Sequence, residues 1–233
     1  MITVYPYEEL GSADHGWLKT RYHFSFAGYN NPKRVRFGKL RVINDDQIKA
    51  GSGFDMHPHD NMEIITFVRA GAITHRDTKG NEGRTEAGNV QVMSAGTGIY
   101  HSEFNLESEE ASIFQIWIFP KEKGVQPRWE AAKFSERKAS GKLPLLVSGR
   151  KEDQSDDVLY IHQDASISGG LVKEGQELSQ PIIDQGYMLV SKGEIEIEGQ
   201  QLKEGDGIEI VDEDHVHIKA LSDAEVILID VPA

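Results

Sequence analysis

Hydrophobic and polar residues alternate along most of this chain in short runs separated by glycine, asparagine and aspartate. EIEIE (194–198) alternates strictly, and GIEIV (207–211), HVHIKA (215–220) and EVILIDV (225–231) are also strand-like. In the first half TRYHFSF (20–26), KLRVIN (39–44), MEIITFV (62–68), NVQVMS (89–94) and SIFQIWIF (112–119) also read as strands. Turn signals recur between them: KGNEG (79–83), AGTG (95–98) and EGQ (198–200). The best candidate for a helix is short, WEAAKFSERK (129–138). Many short strands at regular spacing predict an all-β chain built as a sandwich or barrel.

The pattern also predicts two domains. Residues 135–157 are rich in Ser, Lys, Gly and Asp and read as a linker between an N-terminal domain, 1–134, and a C-terminal one, 158–233. Within that stretch LPLLV (143–147) has the composition of a strand packed on one of the domains. The halves resemble each other weakly: Gly71 before Ala72-Ile73 matches Gly193 before Glu194-Ile195. EAGNVQV (86–92) can be laid on KEGDGIEI (203–210) with Gly88 on Gly205. Both matches fit a tight turn into the next strand, and an internal repeat of one domain type is expected.

Four residues stand out for chemistry. On an extended strand residues i and i+2 share a face, so HPH (57–59) sets the imidazoles of His57 and His59 side by side. Pro58 cannot donate to a ladder, which places this strand at an edge or in an irregular stretch. YHSEF (100–104) holds a second same-face pair, His101 and Glu103. Three imidazoles and one carboxylate suit a borderline divalent metal such as Fe, Mn, Ni, Co, Cu or Zn, and six-coordinate geometry would leave two positions open. HVH (215–217) is a third same-face pair, but no HxH lies near LVKEGQELSQPI (171–182), so it reads as a remnant without metal. His15, His23, His75 and His162 are isolated and read as satisfied or solvent-facing.

Composition narrows the field. The 233 residues include 25 Lys and Arg against 38 Asp and Glu, a net charge of −13, with no Cys at all. Zero cysteine excludes disulfides, Fe–S clusters, thiolate zinc sites and a cysteine nucleophile. An acidic chain repels phosphates, so nucleic-acid binding is not expected. SIFQIWIFP (112–120) is about half the ~18 apolar residues of a membrane span. The first twenty residues lack an apolar signal core, which leaves the cytoplasm as the expected compartment. Acidic runs such as ESEE (107–110) and VDEDH (211–215) read as solvated loops. No nucleophile elbow or P-loop is present, and AGTG (95–98) lacks the strand–turn–helix context of a dinucleotide site.

Spacing carries the reading to a family. Gly51, His57-Pro58-His59, Glu63 and Gly71 nearly reproduce the first cupin motif, and Gly88, Ser94, Gly96, His101 and Asn105 resemble the second. In the second, Ser94 replaces the usual Pro and the gap before the histidine is longer. HGWL (15–18), FSFAGY (24–29), LRVINDD (40–46), HPHDNMEIITFV (57–68), MSAGTGIYHSE (93–103) and QIWIFP (115–120), in that order, resemble the pirin family of bicupins. The resemblance extends to ILIDVP (227–232).

That resemblance implies two consecutive cupin-type, double-stranded β-helix barrels with one metal, in the N-terminal one. The pirin ligand set falls on His57, His59, His101 and Glu103, with iron(II) the first choice of metal. Glu63, where many cupins carry their carboxylate ligand, becomes a supporting residue. Pirin-like proteins include quercetin 2,3-dioxygenases, which open a flavonol ring with O2 and release carbon monoxide. For that reaction Glu103 is the one non-histidine titratable group in the ligand set, hence the expected base. Two other readings stay open: a regulatory module that binds a protein partner, and a different small-molecule cupin enzyme.

Overall fold

Strands form where the alternation places them. The computed structural model describes residues 1–134 and 138–233, and their only helical segments are two three-residue 3-10 turns, Tyr7–Glu9 and Lys151–Asp153. The described residues fall into two compact units, one of residues 11–134 with 159–163, the other of 1–10, 138–158 and 164–233.

The first unit is a jelly-roll sandwich of two antiparallel sheets. Its larger sheet runs Arg128–Ala132, Val90–Ser94, Glu63–Ala70, Ala111–Ile118, Leu40–Ile48, Leu18–Tyr22, Gly11–Asp14. The smaller runs Gly53–His59, Ile99–Phe104, Ala72–Asp77, Glu82–Glu86. The central strands are buried on both faces: Ile43, Ile116, Ile65 and Val92 form one cross-strand row and Ile113 lies on the opposite face, each removing an apolar side chain from water for roughly 1.5–3 kcal/mol.

The second unit repeats this plan. Its large sheet contains, in order, Ile2–Tyr5, Gly207–Ile210, Gln185–Lys192, Ala224–Val231, Ser166–Val172 and Leu145–Ser148; its small sheet runs Glu177–Pro181, His215–Ala220, Glu194–Ile197, Gln200–Lys203. These strands keep the order of their counterparts in the first unit, whose large sheet adds Gly11–Asp14 at its edge. The paired glycines have the same job: Gly71 and Gly193 have φ of 70° and 76°, Gly88 and Gly205 of 80° and 86°, values that a residue with a Cβ rarely adopts. Gly88 N–H donates to Val68 O and Gly205 N–H to Val190 O, both at 2.8 Å.

Two expectations need correction. WEAAKFSERK is not a helix where it is described: Arg128–Ala132 is a strand paired with Val90–Ser94, and residues 135–137 lie outside the described residues. The open edge of Val90–Ser94 outweighs a weak local helical preference. The linear domain boundaries also shift. Ile2–Tyr5 pairs with Gly207–Ile210, so residues 1–10 belong to the second unit. Leu145–Ser148 pairs with Ser166–Val172 in that unit's sheet, and 159–163 belong to the first unit. The expected all-β plan of two consecutive jelly-roll domains is present, each built of two facing sheets.

Candidate metal centre

The smaller sheet of the first unit assembles the histidines. Gly53–His59 lies at its edge, as Pro58 requires, and pairs with Ile99–Phe104 so that His57 stands directly opposite His101. The ring centroids of His57, His59 and His101 lie 4.4–5.0 Å apart. Their ligand nitrogens all fall within 4.8 Å of one another. The register then shifts at a bulge, after which Glu103 faces Phe54. Gly53 permits this: a Cβ there would come within 2.3 Å of the Glu103 carbonyl oxygen.

Hydrogen bonds set which nitrogen each ring offers. His57 Nδ1 donates to the Asp55 carbonyl at 2.6 Å, which leaves Nε2 with its lone pair. His101 Nδ1 lies 3.4 Å from Nδ1 of His75, whose Nε2 is 2.9 Å from the Asp77 carboxylate. Asp77 accepts from His75 Nε2–H, His75 Nδ1 accepts from His101 Nδ1–H, and His101 Nε2 is bare. Nε2 of both His59 and His101 is buried without a hydrogen-bond partner among the described residues. Burial holds His59 down to about 4 and His101 to about 3, with the neighbouring histidines adding to the effect. Three neutral imidazoles with converging lone pairs form the donor set of a borderline divalent ion. The residues present fit such a metal.

Glu103 is buried two residues beyond His101, close enough for its charge to act on His59, but it falls outside the three-histidine set. A rung of the facing sheet grips it. Thr66 stands opposite both Gln91 and Gln115 on the neighbouring strands. Thr66 Oγ1 and Gln91 Nε2 donate to Glu103 Oε1 at 2.9 and 2.6 Å, and Gln115 Nε2 donates to Oε2 at 2.7 Å. Gln91 and Gln115 are oriented in turn by Thr85 and Trp117.

The centre opens on a cavity of about 410 Å³. Trp17, Phe26, Phe54 and Trp117 form its apolar walls beside His57 and His59. Trp117 meets the His59 ring edge to face at 4.9 Å, and Phe26 meets Trp117 at 5.4 Å. A flat aromatic molecule suits such walls.

The other candidates lie elsewhere. Glu63 accepts from Ser94 Oγ at 2.7 Å and from the His162 backbone N–H at 3.2 Å, and burial raises its pKa. It is a structural residue, not part of the histidine set. His15 is exposed, and His23 is buried, held down to about 3 by burial and by Arg34 and Arg69. His215 and His217 are exposed in the second unit, where the inward-facing cross-strand pairs are Leu178–Ile218 and Gln180–Val216. His75 is fully buried, stacked on Trp129 at 5.0 Å, and its part in orienting His101 is not apparent from an isolated histidine. The signal was there: HRD (75–77) is a same-face His/Asp pair of the kind that flagged the ligands.

Among the described residues, no helix is long and apolar enough to cross a membrane. The Pirin family profile matches residues 4–118, and that of the quercetinase C-terminal cupin domain matches residues 145–231. A pirin-like protein of Caulobacter vibrioides is 49% identical and matches 99% of both chains. A quercetin 2,3-dioxygenase of Escherichia coli is 43% identical over 100% of this chain and 99% of its own. The crystal structure of the bacterial pirin YhhW from Escherichia coli in complex with nickel(II) superposes with a TM-score of 0.92 at 41% identity, covering 100% and 99% of the two chains.

Proposed function

Because the chain belongs to the pirin family, we propose that it is a metal-dependent dioxygenase that opens the central ring of a flavonol such as quercetin with O2. The observation that carries this reading is the pair of buried, unpartnered Nε2 atoms of His59 and His101 beside an aromatic-walled cavity. His57, His59, His101 and Glu103 would hold one divalent transition metal, iron(II) first among the candidates. Such an ion, when bound, stabilises a substrate oxyanion and gives dioxygen access to one-electron chemistry.

The remaining work falls to side chains. Phe26, Phe54 and Trp117 hold the flavonol flat and keep water out. Glu103 takes the proton of the flavonol 3-hydroxyl, and Thr66, Gln91 and Gln115 fix its carboxylate for that transfer. The low pKa of His59 and His101 keeps both rings neutral, hence ready to coordinate at physiological pH. Both atoms of O2 enter the opened product, and the carbon that bore the 3-hydroxyl leaves as carbon monoxide.

The test is anaerobic loading with iron(II), followed by oxygen uptake and carbon monoxide release with quercetin. Turnover that stops on chelation and returns on reloading is expected. Full metal occupancy with no oxygen uptake across a panel of flavonols would overturn the reading.

A further inference from the structure

The rung that grips Glu103 does not stop there. Gln91, Thr66 and Gln115 stand opposite one another on adjacent strands, and the next residue across is Asn44. Its neighbour on the same face of that strand, Asp46, stands opposite Thr20. Thr20, Asn44 and Asp46 all line the same cavity as His57 and His59, and all are more than nine-tenths buried. The first three members of the rung spend their polar groups on Glu103. By contrast Thr20 Oγ1, Asn44 Oδ1 and Asp46 Oδ1 have no hydrogen-bond partner among the described residues.

Unpartnered buried acceptors are costly, and three in one cavity call for a ligand that brings donors. We propose that Thr20, Asn44 and Asp46 are the specificity-determining wall of this cavity, reading the ring hydroxyls of a polyhydroxylated aromatic substrate whose flat body lies between Trp17, Phe26, Phe54 and Trp117. The inference rests on the flavonol reading above and adds to it which substrate atoms are recognised, and by what.

Chemistry favours hydroxyl donors over other ligands. An anion would meet Asp46 and Glu103, and a purely apolar ring would leave all three acceptors unsatisfied. Asp46 itself behaves as a carboxyl short of donors. Burial pushes its pKa up to about 7, and the charges of Asp45 and Glu103 add to the rise. A phenolic O–H donated to Asp46 would supply the missing stabilisation.

The experiment separates this wall from the oxygenase reading by measuring binding without turnover. Metal-loaded protein is titrated anaerobically with quercetin and with 3-hydroxyflavone, which keeps the 3-hydroxyl but lacks the other ring hydroxyls. Quercetin is expected to bind at least about tenfold more tightly to the wild type. The Thr20→Val, Asn44→Leu double variant, which keeps only Asp46 of the three, should lose most of that difference. Its metal-free form should also melt about 2–4 °C higher, because two orphaned acceptors are gone. Should the double variant not fold, Thr20→Val alone is expected to narrow the gap. Equal binding of the two flavonols by the wild type, binding of neither, or undiminished discrimination by the folded variants would overturn the proposal. Discrimination without oxygen uptake in air would sink the oxygenase reading and leave this one standing. Oxygen uptake with equal affinities would do the reverse.

Discussion

His75 stands 3.4 Å from His101, ring nitrogen to ring nitrogen, and so joins the three-histidine cluster to Asp77 on its own strand. The proton positions along this chain follow from its ends. A carboxylate can only accept, so His75 Nε2 must donate to Asp77 and His75 Nδ1 must accept from His101. The lone pair of His101 Nε2 therefore depends on a residue outside that cluster.

Asp77→Asn tests that dependence. An amide nitrogen facing His75 Nε2 would reverse its tautomer and drive the His101 proton onto Nε2, where it blocks coordination. The amide oxygen can still serve the backbone N–H groups of Lys79 and Asn81 that Asp77 Oδ1 now caps. Metal affinity is expected to fall about 10–100-fold with the fold retained, as measured by competition against a chelator of known affinity. An unchanged affinity would show that His101 holds its tautomer without the relay.

Acid should release the metal late. A ligand histidine with an ordinary pKa near 6.5 begins to lose metal to protons below pH 7, but His59 is held down to about 4 and His101 to about 3. Protonation of these two rings therefore competes little until pH falls well below 6. For the metal-free protein the sign is the same. The unfolded chain takes up these protons at pH 6.5 and the folded one does not, so stability is full above pH 6.5 and falls as pH drops toward 4. Metal content after dialysis across pH 4–8, with a parallel series of metal-free melts, measures both.

Gly53→Ala should damage the centre from outside it. The new Cβ would lie 2.3 Å from the Glu103 carbonyl oxygen and 2.5 Å from the Phe104 Cα, both backbone atoms that can move only with the bulge. Overpacking of this kind costs about 1–3 kcal/mol, and here it displaces Glu103 from its three donors. A lower melting temperature together with weaker metal binding is the expected result. Gly51→Ala is the control, since a Cβ there meets nothing within 4 Å and only its φ of +69° opposes the change.

His215→Ala, His217→Ala should leave metal content at one per chain. Both rings are exposed, while Val216 and Ile218 between and beyond them point into the core. Side chains alternate across a strand, so ligands out of phase by one residue face solvent instead of the site. A stoichiometry of two metals, halved by these changes, would show that the second unit is also a metal site.

This phase relation shows what a sequence can and cannot disclose. HVH looks like HPH as a pattern, and only the burial of Leu178, Gln180, Val216 and Ile218 assigns its face. The strictly alternating EIEIE and the continuous apolar run in EVILIDV were legible because both signals are local. Arg128–Ala132 was not, since its strand state comes from the edge of Val90–Ser94, far back in the chain. The same holds for the pairing of Ile2–Tyr5 with Gly207–Ile210. The three clustered histidines lie in short motifs and could be read directly. Gln91, Thr66, Gln115 and Asn44 become a rung only through the register of four strands, and no spacing in the sequence announces it.

Glu103→Gln separates holding a metal from moving a proton. The substitution keeps shape and one acceptor oxygen. Placed toward Thr66 and Gln91, that oxygen preserves both contacts now made to Oε1. The amide nitrogen then faces Gln115 Nε2, donor against donor. Gln115 can turn its amide only by giving up the bond that its Oε1 accepts from Trp117 Nε1. One lost hydrogen bond costs about 1 kcal/mol, so the variant should fold, with a slightly lower melting temperature. If Glu103 only helps to hold the metal, protein fully reloaded with iron(II) should turn over nearly as fast as wild type. If it also takes the 3-hydroxyl proton, a neutral amide cannot replace it, and turnover should fall about 10²–10⁴-fold at equal metal occupancy. The defect should shrink as pH rises and the flavonol arrives already ionised. Stopped-flow oxygen consumption at matched metal content, from pH 6.5 to 9.5, distinguishes the cases, and near wild-type turnover at neutral pH would rule out Glu103 as the base.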